Sequence, residues 1–410
     1  MQPILLIGII IFTGFIVGEI CTRIGLPKVT GYILAGLILN PQLTHFVPET
    51  FVVHTDLVTN IALSFITFSV GGTLLFSKIR ILGKSIIYIT IFEAQFAFLF
   101  VAVFFVLLGP VLLPSAGNGM VAFFIPLALL LASLASPTDP SATLAVEHEY
   151  KAKGEVTSTI MGVAAFDDIF GIINYSLAIS FAGMCIQHES IGLASIVRPL
   201  LQIAGSIIGG ILFGLLLNFL IKVIKKESEG VLISLIISLL ALCYGVAGLL
   251  GADELLSTMT MGIVVVNYNI KKEKIFNILE RYTEELIFVL FFTISAMHLD
   301  FSVLVSNYLF IIIFILFRSA GKFAGTFMGG KLAKSSLPVQ KYTAGGLIPQ
   351  GGIVVGLALL IQQQPTFHSI STIILNVIIG ATIIHEILGP VVSKITLIKA
   401  GEIKVIKKHK

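Results

Sequence analysis

Asp167 and Asp168 stand side by side in AAFDDIFGII and are the only charges between Gly162 and Ile186. A carboxylate at the centre of a bilayer costs about 3 kcal/mol or more, so an intramembrane pair is a functional hypothesis by default. Two other stretches supply matching chemistry. Thr138 and Asp139 are bracketed by Pro137 and Pro140 in LASPTDPSA, and FRSAGKFAG places Arg318 and Lys322 four residues apart, on one face of a helix. Carboxylates, a hydroxyl and carbonyls freed by proline are the oxygens a dehydrated Na⁺ prefers. Two close acids titrate as a coupled pair. A metal ion entering such a set expels its protons, and returning protons expel the metal. The bland alternative is a buried ion cluster of Asp167, Asp168 and Lys322 that only fixes helix packing.

The elements that must position these residues are membrane spans. The chain has 410 residues, 56% hydrophobic and 12% charged, with a mean hydropathy of +1.03. Soluble domains carry roughly a quarter charged residues. Here the charges gather in short islands between apolar runs of about 20 residues, the length of a membrane-spanning helix. Thirteen spans are expected, near 2–22, 28–41, 57–76, 85–109, 119–146, 156–184, 194–221, 230–250, 252–268, 283–299, 303–330, 342–361 and 367–393. The second is short, and the eighth and ninth nearly abut. The first lacks a basic leader and a small-residue cleavage pattern, so it reads as a retained span and not a signal peptide.

Placing the N-terminus outside and the C-terminus in the cytoplasm satisfies the positive-inside rule. Of the 26 lysines and arginines, all but Arg198, Arg318 and Lys322 then lie on the inner face. The basic residues follow the topology and do not indicate a nucleic-acid partner. Connections are short, and the chain ends on a basic tail, 394–410, with no soluble regulatory domain. Cys21, Cys185 and Cys243 are scattered without metal-ligand spacing and read as buried thiols. No nucleophile–base pair, metal cluster or phosphate loop appears, so neither an enzyme nor a cofactor is expected.

Two spans should be interrupted. Pro137 and Pro140 break the fifth, because proline removes a backbone donor and clashes with the preceding turn. In the twelfth, TAGGLIPQGGIVVGLALL, Pro349 is flanked by Gly345, Gly346, Gly351 and Gly352. Irregular backbone at membrane depth survives only where protein or a wet cavity covers it. If spans one to six and eight to thirteen are two repeats joined by span seven, both breaks fall in the fifth element, and the odd linker inverts the second repeat. Paired interruptions in corresponding halves point to a transporter's substrate site.

Span six, with the aspartates, follows the first break directly. Neighbours on a helix point about 100° apart, so one aspartate is expected to face the break and the other a different span. Lys322 is the better partner for an aspartate. Arg318 can reach Glu93, a lone acid in span four, or a carbonyl. His298 in MHLD and His385 in IHEILGP read as boundary turns.

The residues that match a known family run in order from Arg23 to Val391: RIGLPKVTGYILAGLILNP, ITFSVGGTLL, SPTDPSA, FDDIFGI, FFTISAMHLD, RSAGKFAG, LIPQGGIVVGLAL and IHEILGPV. The chain resembles the cation:proton antiporter superfamily, in its two-aspartate branch of Kef-like proteins and sodium/proton antiporters. The resemblance implies an all-α integral membrane protein with two crossing broken helices. It implies an ion-translocating core at 84–184 and 303–393, a dimerising scaffold at 1–80 and 230–300, and a linker at 194–226. Carried over by motif, Asp168 is the principal carrier of cation and proton. Asp167 is its partner, paired with Lys322 in one protonation state, and Thr138 and Asp139 shape the unwound crossing. Na⁺ is then expected at Asp168, Asp167 and Thr138.

The expected activity is exchange of Na⁺, with Li⁺ or K⁺ as alternatives, for H⁺ across a bacterial or archaeal cell membrane. A homodimer moving its core by alternating access would carry it. The paired aspartates point by analogy to electrogenic exchange. Alternatives are a Kef-like K⁺ channel or K⁺/H⁺ exchanger, and a Na⁺-coupled organic anion symporter. The symporter would need a basic residue beyond Lys322 and Arg318, and none is spare.

Overall fold

The computed structural model describes residues 2–24, 28–113, 119–139, 143, 146–147, 150–187, 193–224 and 228–403, and these are helical with no strand among them. The helices in order are α1 (Pro3–Arg23), α2 (Lys28–Ile38), α3 (Pro41–Thr44), α4 (Glu49–Val52), α5 (Asp56–Thr73), α6 (Phe76–Leu112) and α7 (Ile125–Ser133). They continue with α8 (Glu155–Ala164), α9 (Asp167–Gln187), α10 (Leu193–Val223), α11 (Glu229–Leu249), α12 (Glu254–Tyr268) and α13 (Lys272–Leu279). The last six are α14 (Glu285–Met297), α15 (Phe301–Ser306), α16 (Tyr308–Leu332), α17 (Leu337–Gly346), α18 (Gly352–Gln363) and α19 (His368–Lys399).

Among the described residues, seven segments are by themselves long and apolar enough to cross a bilayer: Pro3–Arg23, Gly83–Leu112, Glu155–Gln187, Leu200–Val223, Glu229–Leu249, Tyr308–Leu332 and Pro365–His385. Shorter apolar helices, among them Lys28–Ile38 and Ile353–Gln363, accompany them. This is an integral membrane protein. Helix occurs at each of the thirteen expected spans, but several are short or interrupted, so length and hydropathy alone give a smaller number. The first span bends into the second through an ion pair between Glu19 and Lys28 at 2.9 Å. The long α6 turns at Gly83, whose φ of 76° suits a residue without a side chain.

The contacts divide the chain into two compact units. The first holds Met1–Val17, Tyr32–Ile81 and Ser190–His298. Its hub is α12, packed against α5 and α10. Gly71 and Gly262 let α5 and α12 approach until a side chain at either position would strike backbone of the other helix. Phe65, Phe68, Leu217, Ile236, Leu239 and Met261 fill the space between α5, α10, α11 and α12. Helix α10, which covers most of the stretch read from sequence as a linker, packs within this unit.

The second unit holds Gly18–Gly31, Leu82–Glu189 and Leu299–Lys410. Both interrupted spans and the aspartate pair belong to it. Its apolar core includes Ile86 and Ile89 of α6, Val156, Ile160 and Val163 of α8, and Val339 and Leu397 of α17 and α19. On α16, Gly321, Gly325 and Gly329 form a small-residue stripe laid on α6, where added side chains would meet the backbone of Phe96–Ala97, Phe92–Glu93 and Tyr88–Ile89. The stripe brings two helix backbones together beside the charged residues they carry.

Candidate functional site

Each interruption forms as its prolines and glycines dictate. Helix α7 stops at Ser133, tightens through Leu134 and Ala135, and leaves Ser136 to Asp139 without helical hydrogen bonds. Pro140 lies outside the described residues. Helix α17 stops at Gly346, and the chain is not helical until α18 begins at Gly352. The two open stretches lie against each other, with the Asp139 N–H donating to the Pro349 carbonyl at 3.1 Å. Gly351 must be glycine here, because a side chain would occupy the place of the Asp139 carboxylate.

Span six is also interrupted, where a single helix was expected. Helix α8 ends at Ala164, a tight turn passes through Ala165 and Phe166, and Asp167 and Asp168 open α9. No proline or glycine marks this turn. The aspartates themselves favour it, since a helix N-terminus carries partial positive charge and free N–H groups.

Five buried charged residues meet at the crossing: Glu93, Asp167, Asp168, Arg318 and Lys322. Lys322, fully buried, donates to the Glu93 carboxylate, to the Ser136 carbonyl at 2.8 Å and to the Thr138 hydroxyl at 2.7 Å. These three acceptors use all three protons of the ammonium. The Thr138 hydroxyl passes its own proton to Asp167, so it links Lys322 to the carboxylate. Asp167 itself lies 3.6 Å from the ammonium. Lys322 thus has Glu93 as its direct partner and Asp167 as a second, through Thr138. The expected Lys322–aspartate pair is present, but the closer contact goes to Glu93 because the glycine stripe of α16 sits on Phe92 and Glu93.

Arg318 takes the other course open to it. Its guanidinium donates to the Ile348 carbonyl at 2.7 Å and to the Pro137 carbonyl at 2.8 Å, one from each interruption. It makes no bond to Glu93. The carbonyls at a helix C-terminus carry partial negative charge, and a fully buried Arg318 is the cation that compensates them. Asp168 also lies at this crossing, within electrostatic reach of Asp139, Lys322 and Glu93, so both aspartates are at the first break, where one of them had been expected to face a different span.

Three carboxylate oxygens in this cluster, Oε2 of Glu93, Oδ1 of Asp167 and Oδ1 of Asp168, are buried without a hydrogen-bond partner. Buried polar atoms are nearly always partnered, so such oxygens mark a place for protons, water or an ion. No trio of His, Cys, Asp and Glu converges as metal ligands among the described residues. Any bound alkali ion would therefore draw on hydroxyl and carbonyl oxygens as well as on the aspartates.

Several polar residues join this site without having been singled out in the sequence. Asn174, two turns beyond Asp167 on α9, donates to Ser136 Oγ at 3.2 Å and accepts from Gln95 at 3.2 Å. Gln350 donates to the Leu134 carbonyl at 2.7 Å and meets His385 Nδ1 at 3.1 Å. His385 is not in a boundary turn. Helix α19 continues to Lys399 and carries His385 in its buried interior. His298 does cap the end of α14. The start of the tail also packs against the second unit. Residues 394–399 are helical, and the Glu402 carboxylate accepts from Val156 N–H at 2.7 Å, Thr157 N–H at 2.8 Å and the Thr157 hydroxyl at 2.6 Å at the start of α8.

Interrupted helices meeting beside intramembrane carboxylates and a buried lysine define a secondary transporter of cations. The chain belongs to the family described as "Sodium/hydrogen exchanger, transmembrane", which it matches over residues 8–399. It is 25% identical to a Na⁺/H⁺ antiporter of Enterococcus hirae, over 93% of this chain and 96% of that protein. It is 23% identical to the probable Na⁺/H⁺ antiporter GerT of Bacillus cereus, over 83% of this chain and 86% of that one. Its fold matches the structure of the sodium proton antiporter MjNhaP1 from Methanocaldococcus jannaschii at pH 8. The TM-score is 0.76, at 18% identity and covering 97% of this chain and 98% of the other.

Proposed function

We propose that this chain is a secondary antiporter exchanging Na⁺ for H⁺, with Asp168 and Asp167 as the site that the cation and the protons share. One observation carries the reading. The lysine of the cluster has all three of its protons committed, while one oxygen each of Glu93, Asp167 and Asp168 lacks a donor. A proton or a cation relieves those oxygens, and both cannot occupy them together. The names of the relatives favour sodium over a Kef-like potassium reading.

The residues divide the work. Asp168 binds the cation with Asp167, the Thr138 hydroxyl and carbonyls of the open stretches. Glu93 neutralises Lys322, which leaves the charge of the aspartate pair to be balanced by protons or by Na⁺. Arg318 holds the two interruptions together through their carbonyls. Because two carboxylates serve one cation, more protons than cations move in each cycle and the exchange is electrogenic. Residues 84–184 and 303–393 move as the carrier of the site, and residues 1–80 with 230–300 form the scaffold of a homodimer. The protein works in a bacterial or archaeal cell membrane, with its N-terminus outside and its C-terminus in the cytoplasm.

Proteoliposomes holding a pH gradient test this reading, with Na⁺, Li⁺ and K⁺ added separately and the membrane potential clamped or free. Na⁺ should trigger proton movement in the parent protein, Asp168→Asn should abolish it, and Asp167→Asn should leave weakened exchange. Cation flux that never moves protons would replace the exchanger by a channel. Equal, full activity in both variants would remove the aspartates from the site.

A further inference from the structure

The two interruptions are joined by more than Arg318. Leu134, the residue that ends the first half of the broken fifth span, turns its carbonyl to Gln350 Nε2 at 2.7 Å. Gln350 lies in the open stretch of the other break and is fully buried. Its remaining oxygen, Oε1, is 3.1 Å from Nδ1 of His385, a buried residue of α19.

Hydrogen-bond accounting fixes the direction of this chain. A carbonyl only accepts, so the amide of Gln350 must face Leu134, and its oxygen must then accept from a protonated Nδ1 of His385. Nε2 of His385 is buried with no partner. A second proton there would bury a donor without an acceptor, so the arrangement suits one tautomer of a neutral ring. Each end of the chain is close in sequence to a site contact. Leu134 is two residues before Ser136, whose carbonyl receives Lys322, and Gln350 follows Pro349, whose carbonyl receives Asp139 N–H.

We infer that His385 and Gln350 form a directional strut, His385 Nδ1–H to Gln350 Oε1 and Gln350 Nε2–H to the Leu134 carbonyl, that sets the spacing of the two interruptions and serves as a positioning pair for the ion site. The strut is uncharged, which distinguishes its role from that of Arg318. Arg318 compensates helix-end carbonyls, whereas the strut anchors both breaks to α19. The pair touches neither cation nor proton. It acts through the residues that do, and this role rests on the exchange reading given above.

The test compares His385→Leu, which removes the donor, with His385→Asn, whose amide can place an N–H near the position of Nδ1. Gln350→Leu and the double variant Gln350→Leu/His385→Leu complete a cycle. All are measured for Na⁺-driven proton movement in proteoliposomes and for melting temperature in detergent. Losing a buried hydrogen bond and stranding its partner corresponds to roughly tenfold. His385→Leu should therefore lose about that factor in maximal rate, with a smaller change in the Na⁺ concentration for half-maximal rate. His385→Asn should recover most of the loss, and the double variant should be no worse than the worse single one.

Parent-like rates in His385→Leu would overturn the inference, as would equal losses in the Leu and Asn variants or additive losses in the double. If the parent protein moves no protons in response to Na⁺, the exchange reading fails on its own account. The strut is then judged by melting temperature alone, where rescue by Asn and non-additivity uphold it and their absence overturns it.

Discussion

The first compact unit and the second bury different chemistry in helices of the same general hydropathy. Among the described residues, every fully buried Asp, Glu, Lys and Arg lies in the second. The polar groups buried in the first are hydroxyls and amides, most of which find partners near at hand, with Asn60 Oδ1 and Thr283 Oγ1 as exceptions. The Thr67 and Thr258 hydroxyls meet at 2.7 Å between α5 and α12, so one donates to the other while the second donates to its own helix, at Leu63 O for Thr67 or at Glu254 O for Thr258. Asn40 donates to Met297 O at 3.1 Å. In the second unit, by contrast, carboxylate oxygens remain unpartnered around a saturated lysine. One unit is assembled for tight packing, and the other retains an electrostatic demand that protons, water or an ion would meet.

The strongest way to break this contrast is to remove one member of the buried pair. Lys322→Met should strand the Glu93 carboxylate and cost about 3–5 kcal/mol, since a buried charge without its partner is heavily penalised. Thermal unfolding of purified protein measures the loss. Adding Glu93→Gln should return much of it, because an uncharged, space-filling replacement of a buried ion pair is often nearly neutral. The double variant should stay folded and exchange poorly, with Thr138 and Asp167 no longer linked to the ammonium.

Glycine substitutions then separate packing from ion chemistry. Gly262→Val in the first unit and Gly325→Val in the second each push a side chain into the backbone of a neighbouring helix. Overpacking of this kind costs about 1–3 kcal/mol, so both variants should melt lower. Only Gly325→Val should also shift the Na⁺ concentration for half-maximal exchange, because it lifts α16 off Phe92 and Glu93 and carries Lys322 with it. A shift of the same size in Gly262→Val would show that packing in the first unit also tunes the site.

Much of this architecture could be read before the structure. Prolines and clustered glycines announced both interruptions, Asp167 and Asp168 announced the site, and the spacing of Arg318 and Lys322 put them on one helix face. The rest depends on contacts between distant parts of the chain. Glu93 became the first partner of Lys322 only because Gly321, Gly325 and Gly329 bring α16 onto α6, a register that neither helix encodes alone. The turn at Ala165–Phe166 carries no helix breaker. Gln350, Asn174 and His385 are uncharged and stand out from their surroundings only once their neighbours are known. Glu402 lies in the basic tail and gave no sign from its neighbours that it would cap α8.

That cap gives a smaller and more local prediction. Glu402→Ala removes a carboxylate from two N–H groups and a hydroxyl at the start of α8. Losing a helix cap costs about 1 kcal/mol. Hydrogen exchange should show faster opening at the start of α8, with Glu402→Gln intermediate because it keeps an acceptor oxygen without the charge that favours a helix N-terminus.

The smallest effect belongs to the first unit and sharpens the contrast from the other side. Thr67→Val removes one hydroxyl from the contact between α5 and α12 while keeping the branched shape. The Thr258 hydroxyl that remains still bonds its own backbone at Glu254 O and Leu255 O, so no polar group is stranded. Hydrogen bonds between membrane helices average about 0.6 kcal/mol in such cycles. The Thr67→Val, Thr258→Val and double variants should thus give a coupling near that value in melting experiments, with Na⁺ dependence unchanged. A coupling of several kcal/mol would mean that this hydroxyl pair is as demanding as the charges around Lys322. The first unit would then be no mere packing partner but a second polar centre of the protein.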